Sequence, residues 1–171
     1  EDLVAHALRT PADPHVSFGD DPLRMLRAAR FASQLGFDVD AATLAAMTEL
    51  RETLRIVSPE RVQGELVKLL QTDAPDRGIR ILVETGLMAE FLPEVPALRL
   101  EVDEHHHHKD VYEHSLTVLR QAIELEHARH PGDAPDVALR LAALLHDIGK
   151  PATRRLEPGG GVSFHHHDVK G

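Results

Sequence analysis

Cysteine and tryptophan are absent from this chain, and tyrosine occurs once. Without cysteine there are no disulfides and no thiolate metal sites, which fits a reducing, cytoplasmic setting. Aromatic residues make up only 4% of a chain that is 42% apolar, so a core must be assembled from Leu, Ala and Val, which favours packed helices. No apolar run approaches the roughly 20 residues of a membrane span, and no signal-peptide pattern opens the chain. An excess of positive charge is missing too: 19 Lys and Arg stand against 28 Asp and Glu, a net charge of −9 with His neutral. That excludes a general electrostatic attraction to nucleic acid, and any contact with RNA must be local.

Histidine, in contrast, is plentiful. There are 13, and most of them cluster at 105–108, 114, 127–130, 146 and 165–167. Clustered neutral nitrogen donors raise the prospect of a metal site. A length of 171 residues allows one large domain or two small ones. The chain opens on Glu1-Asp-Leu-Val-Ala without a Met and stops on His167-Asp-Val-Lys-Gly171, and it reads as a fragment of something longer.

Capping residues and apolar periodicity predict the elements. Asp21-Pro22 starts a helix that runs to about Leu35 and stops at Gly36. Asp40 caps a second, through Leu44, Met47, Leu50 and Leu54, and Ser58-Pro59-Glu60 starts a third. A fourth covers about Asp76–Thr85, ended by Gly86. Pro93, Pro96 and the acidic, His-rich stretch 101–110 mark a boundary, with His105–His108 read as a solvated loop. Long helices follow over about 111–130 and 135–147, and residues 157–164 form a hairpin or loop. The expected architecture is all-α, in two units of about 1–98 and 99–171, without an internal repeat.

Two constellations carry chemistry. Asp21, Arg24, Arg27 and Arg30 recur every three residues. A step of three shifts a helical side chain by about 60°, so the three guanidiniums share an arc of about 120°. Met25, Ala29 and Ala32 fall on the opposite, core-facing side. By spacing alone this is either a solvated arginine face with an i,i+3 Asp–Arg pair or a nucleotide-reading face. An Asp–Arg pair offers acceptors and donors that match the exocyclic amine and ring nitrogen of cytosine and of adenine. Uracil and guanine put a carbonyl where the amine would be, acceptor against acceptor, at a cost of a few kcal/mol. The second constellation begins at His146-Asp147, directly after the apolar helix Leu139–Leu145. Alone, it is a polar helix end or a metal site at the edge of a helical core. His114 lies on a helix beside Val111, Val118 and Leu119, and His167 follows Phe164.

The stretch Ser17-Phe-Gly-Asp-Asp-Pro-Leu-Arg-Met-Leu-Arg-Ala-Ala-Arg-Phe31 resembles the neck signature of the bacterial class II CCA-adding tRNA nucleotidyltransferases, with bacterial poly(A) polymerase as a close relative. The family's usual Glu-Asp before Pro is Asp20-Asp21 here. The likeness continues through Gln34–Phe37, Ser58–Leu66 and Thr85–Pro93. It implies that Asp21 and Arg24 read an incoming CTP or ATP, that Arg27 and Arg30 assist in holding it, and that the intact enzyme adds C, C and A to tRNA 3′ ends. It also implies a catalytic head before the neck, whose paired carboxylates bind Mg²⁺; nothing upstream of Asp21 supplies them, so the chain alone is not expected to add nucleotides.

From His108 onward the order His114, His146-Asp147, His167 resembles the HD metal-dependent phosphohydrolase superfamily, a domain that many CCA-adding enzymes carry after the neck and the poly(A) polymerases do not. The resemblance makes His114, His146, Asp147 and His167 ligands or near-ligands of Mn²⁺, Ni²⁺, Fe²⁺ or Zn²⁺, with Lys150 near the developing charge. The superfamily's last Asp ligand lies beyond Gly171. Two alternatives stand beside the favoured reading: a phosphohydrolase of the HD class in its own right, and a non-catalytic helical module that binds tRNA.

Overall fold

The computed structural model describes residues 2–100, 110–156 and 162–170. His105–His108 and the tip of the expected hairpin lie outside the described residues. The chain divides into two units, Glu1–Leu92 and Pro93–Gly171, and the described residues of both are mainly helical.

In the first unit, α1 (Asp2–Ala5) and β1 (Ala7–Leu8) lead into α2 (Pro14–Asp20), α3 (Leu23–Leu35), β2 (Asp38–Val39), α4 (Ala41–Glu49), α5 (Pro59–Leu70) and α6 (Pro75–Glu84). β1 and β2 form a two-residue parallel pair, Ala7 opposite Asp38 and Leu8 opposite Val39. α3 is the central element, packed against both α5 and α6, while α2 packs on α4. Its apolar face, Met25, Ala29 and Ala32, is fully buried. Asp21 accepts the Leu23 N–H at 3.3 Å, and Gly36 ends the helix at φ +67°. The left-handed turn costs glycine nothing, where a β-carbon would be strained.

The α3–α6 crossing is close because the residues at it are small. The Gly78 N–H donates to the Ser33 hydroxyl at 2.8 Å. A Cβ on Gly78 would come within 2.7 Å of the Ala29 carbonyl oxygen and 2.6 Å of Leu69 Cδ1.

α2 begins with the same Asp-Pro signal that opens the next helix: the Asp13 carboxylate accepts from His15 N at 2.9 Å and Val16 N at 3.3 Å. Sequence pattern predicts a helix from the Asp21-Pro22 signal and none from Asp13-Pro14, where α2 starts. The expected helix from Asp40 to Leu54 is two elements, α4 and a 3₁₀ segment over Arg51–Ile56. The Leu50 carbonyl accepts from both the Thr53 N–H (2.9 Å) and the Thr53 hydroxyl (2.7 Å). This double i+3 capture tightens the turn and ends α-helical pairing.

In the second unit, α7 (Glu94–Ala97) and a 3₁₀ turn precede α8 (Val111–Arg129) and α9 (Val137–Leu145), which pack together. Then come α10 (Lys150–Thr153), the antiparallel pair β3 (Arg155–Leu156) and β4 (Val162–Ser163), and α11 (His167–Lys170). Tyr112, Leu116 and Leu119 of α8 and Leu144 of α9 are fully buried. Arg140, fully buried, places Nε at 2.8 Å and Nη2 at 2.7 Å from one Glu126 oxygen. The other oxygen accepts the Asp136 N–H, so the loop, α8 and α9 are tied at one buried ion pair. Among the described residues no helix is long and apolar enough to cross a membrane.

Candidate functional site

The first constellation lies at the start of α3, and the structure shows what holds each side chain. Asp21 does not pair with Arg24. Its carboxylate receives Arg61 Nη2 from α5, at 3.2 Å from Oδ1 and 3.3 Å from Oδ2, and Arg27 Nη1 stands 3.8 Å away. Arg24 is exposed and donates from Nη1 to the Ser17 carbonyl (3.0 Å) and hydroxyl (3.2 Å). Arg30 donates from Nε to Glu65 at 2.9 Å and from Nη1 to Gln34 at 3.0 Å, and its guanidinium lies 4.3 Å over the Phe31 ring. Arg27 Nε lies 3.6 Å from the other Glu65 oxygen, which Lys68 also approaches at 3.2 Å.

Glu65 is the hub of this arrangement, with a side chain only 4% exposed. Burial pushes its carboxyl up, but hydrogen bonds from Arg30 and Lys68 and their charges outweigh that and hold it below the usual range. A cavity of about 270 Å³ opens beside Arg24 and Arg27, walled by Phe18, Phe31 and Thr43. The sequence reading put Asp21, Arg24, Arg27 and Arg30 on one face and missed Arg61 and Glu65 as their partners. One signal was available: Glu65 falls in register with the buried Val62 and Leu69 of α5, where a carboxylate needs a cation.

The second constellation converges. His114 on α8 and His146-Asp147 just after α9 offer three ligand atoms within 4.8 Å of one another. His114 Nε2 is 3.9 Å and His146 Nε2 3.1 Å from Asp147 Oδ2, and the two rings meet edge to face at 5.3 Å. His167, outside that set of three, brings Nε2 to 3.5 Å from Asp147 Oδ1. A left-handed residue, His166 at φ +65°, turns the chain just before it. His165 and His166 are themselves exposed.

The ring orientations carry the chemistry. His146 Nδ1 lies 2.9 Å from the Ala143 carbonyl, and His167 Nδ1 lies 2.9 Å from that of Phe164. A carbonyl only accepts, so both Nδ1 atoms carry the hydrogen, and each neutral ring aims its Nε2 lone pair at Asp147. Two acceptors at that range repel unless a proton or a metal ion stands between them. Asp147 is 3% exposed, and its Oδ2 makes no well-aligned hydrogen bond, although Lys150 Nζ approaches to 3.0 Å. Burial raises the Asp147 carboxyl, but the contacts and charges of His146 and Lys150 prevail and lower it to about 2. His146 is raised, first by its contact with Asp147 and despite its own burial. A charged carboxylate whose buried Oδ2 makes no well-aligned hydrogen bond, faced by three imidazoles, fits a first-row divalent cation.

Residues 36–98 match the family described as the probable RNA and SrmB-binding site of polymerase A, and residues 111–171 match the HD domain. The chain is 42% identical over 161 residues to the multifunctional CCA protein of Pseudomonas aeruginosa, covering 89% of this chain and 36% of that protein. It is 38% identical over 177 residues to the A-adding tRNA nucleotidyltransferase of Deinococcus radiodurans, covering 100% of this chain and 39% of that protein. The chain thus spans about two fifths of these relatives. Among solved structures, a tRNA-processing enzyme with CTP superposes at a TM-score of 0.65 and 20% identity, over 89% of this chain and 39% of the other. A tRNA nucleotidyltransferase complexed with a primer tRNA and an incoming ATP analog gives 0.63 at 22% identity, over 84% and 39%. At these identities the structural likeness speaks for the fold.

Proposed function

We propose, from the premise that this chain belongs to the family of bacterial CCA-adding tRNA nucleotidyltransferases as its neck and HD portion, that α3 reads the base of an incoming CTP or ATP for addition to a tRNA 3′ end. The observation that supports this is the Asp21 carboxylate one helical turn from the exposed Arg24 guanidinium, which lines the cavity together with Arg27. Asp21 has lone pairs left after Arg61 and the Leu23 N–H are served. Arg24, held through one nitrogen by Ser17, keeps further N–H donors. Acceptor and donor side by side suit the amine-and-ring-nitrogen edge shared by cytosine and adenine. Arg27 and Arg30, steadied by Glu65, add positive charge for the triphosphate. Mg²⁺ and the phosphoryl-transfer carboxylates belong to a head domain, and the working compartment is the cytoplasm.

In the intact protein, Asp21→Ala and Arg24→Ala each lower CTP and ATP incorporation and narrow the gap to UTP and GTP, because each removes one half of the template. Incorporation assays on tRNA lacking its CCA end, with each nucleotide alone, measure this. Unchanged discrimination in both variants overturns the assignment.

A second reading concerns the other unit and rests on the convergence of imidazole Nε2 atoms on buried Asp147. It is a metal-dependent phosphohydrolase centre held by His114, His146 and Asp147, with His167 beside them. A bound divalent ion supplies a Lewis acid for phosphate-ester hydrolysis. The protein's own contribution is to fix the tautomers of His146 and His167 through backbone carbonyls and to keep Asp147 charged while excluding solvent from it.

A further inference from the structure

The metal centre already contains a cation. Lys150 lies one turn after Asp147, is 9% exposed, and sets Nζ at 3.0 Å from Oδ2. That oxygen also faces His114 and His146. Carboxylate and ammonium neutralise one another there. A divalent ion at the same oxygen would place three positive charges around one buried negative charge, and like charges this close repel strongly where water is excluded. The ammonium has a second resting place. Nζ is already 5.7 Å from the centroid of Phe164, within cation–π range, and the four-carbon stem can turn toward that ring. Phe164 is buried, and its carbonyl orients His167.

We propose that Lys150 is a built-in counter-cation of the metal centre: its ammonium holds the Asp147 oxygen that a divalent ion needs, and loading the ion requires it to withdraw toward Phe164. This rests on the metal-centre reading above. Lys150 thereby lowers metal affinity and keeps buried Asp147 compensated when no ion is bound, so the two cations are competing ligands of one carboxylate.

The test is calorimetric titration of metal-stripped protein with Mn²⁺ and with Ni²⁺, using wild type, Lys150→Met and His146→Ala. Lys150→Met keeps the length and apolar stem of the side chain and removes its charge. It should bind both ions about tenfold more tightly or better, the usual scale of coupling at a shared site. His146→Ala should lose binding. A second measurement needs no variant: reductive methylation of Lys150 in wild type, followed by peptide mass mapping, should run several-fold faster with saturating Mn²⁺ than without, because the ammonium has left its carboxylate. If Lys150→Met binds the ions no better than wild type while His146→Ala still abolishes binding, the competition is wrong and the metal centre stands. If neither ion binds wild type or Lys150→Met, both fall. If Lys150→Met does not fold, methylation decides, and equal rates with and without metal overturn the proposal.

Discussion

Both candidate sites are carboxylates ringed by nitrogen groups, and they differ in how the charges are satisfied. On α3 and α5, Glu65 and Asp21 face Arg27, Arg30, Arg61 and Lys68 at ordinary ion-pair distances. Nothing there asks for an added ion, and what remains open is hydrogen-bonding capacity suited to the edge of a base. In the second unit, one buried carboxylate meets imidazole nitrogens whose tautomers leave lone pairs pointing at it. Its charge is matched by the Lys150 ammonium, 3.0 Å from Oδ2, which leaves the His146 and His167 lone pairs without a partner of their own among the described residues. The hydrogen-bonding face on α3 is thus complete within the protein, whereas the imidazole cluster is held together by one lysine at a shared carboxylate oxygen.

Exchanging one residue in each region tests the contrast most strongly. His146→Ala should cut Mn²⁺ or Ni²⁺ affinity by about 100-fold or more, since one ligand is lost from a small set. Its metal-free unfolding free energy should change by less than about 1 kcal/mol, because the ring is partly exposed. Glu65→Gln should do the reverse. It leaves Arg30, with a side chain only 15% exposed, without its charged partner, and should cost about 2–4 kcal/mol in urea unfolding with no change in metal binding. A stability loss in His146→Ala as large as that in Glu65→Gln would erase the distinction between the two regions.

What could be read from sequence follows the range of the cause. The ends of α3 and α6 were legible because their signals are local: Asp21-Pro22 at one start, Gly36 and Gly86 at the stops. The break after α4 was not, because it depends on how Thr53 shares one carbonyl, which no periodicity reveals. Threefold spacing located the arginine face, but the residues that hold it stand 35 to 40 positions away on α5. His146-Asp147 stood out as an odd pair at a helix end. The tautomers that make it chemically suggestive come from two backbone carbonyls, those of Ala143 and Phe164, which the fold brings to the rings.

A smaller effect tests the frame of the first site. Gly78→Ala forces a β-carbon against the Ala29 carbonyl and Ser33 at the α3–α6 crossing. Backbone cannot yield there as a flexible side chain would, so the helices must separate, at about 1–3 kcal/mol. Thermal unfolding measures it, and a variant as stable as wild type would mean that α3 is held less tightly than the crossing indicates.

The smallest effect is the acid limb of stability, and both units contribute to it by one rule. Glu65 and Glu126 are held below the ordinary carboxyl range despite burial, by Arg30 and Lys68 in one case and by the Asp136 N–H and Arg140 in the other. A carboxyl whose folded pKa is depressed contributes its full stability above its unfolded pKa, about 4.3, and loses it as the pH falls through the folded value. Asp147 behaves likewise over the window from 3.8 down to about 2. Each unit of depression corresponds to about 1.4 kcal/mol before screening. Stability measured by urea midpoint should therefore fall below about pH 5, whereas His146, raised above 6.5, works in the opposite sense and adds stability as the pH comes down through its folded value toward 6.5. Glu65→Gln and Glu126→Gln, less stable at neutral pH, should each show a shallower fall, since the group that titrates is gone. Curves parallel to wild type would show that these buried pairs do not set the acid limb and that exposed carboxyls do.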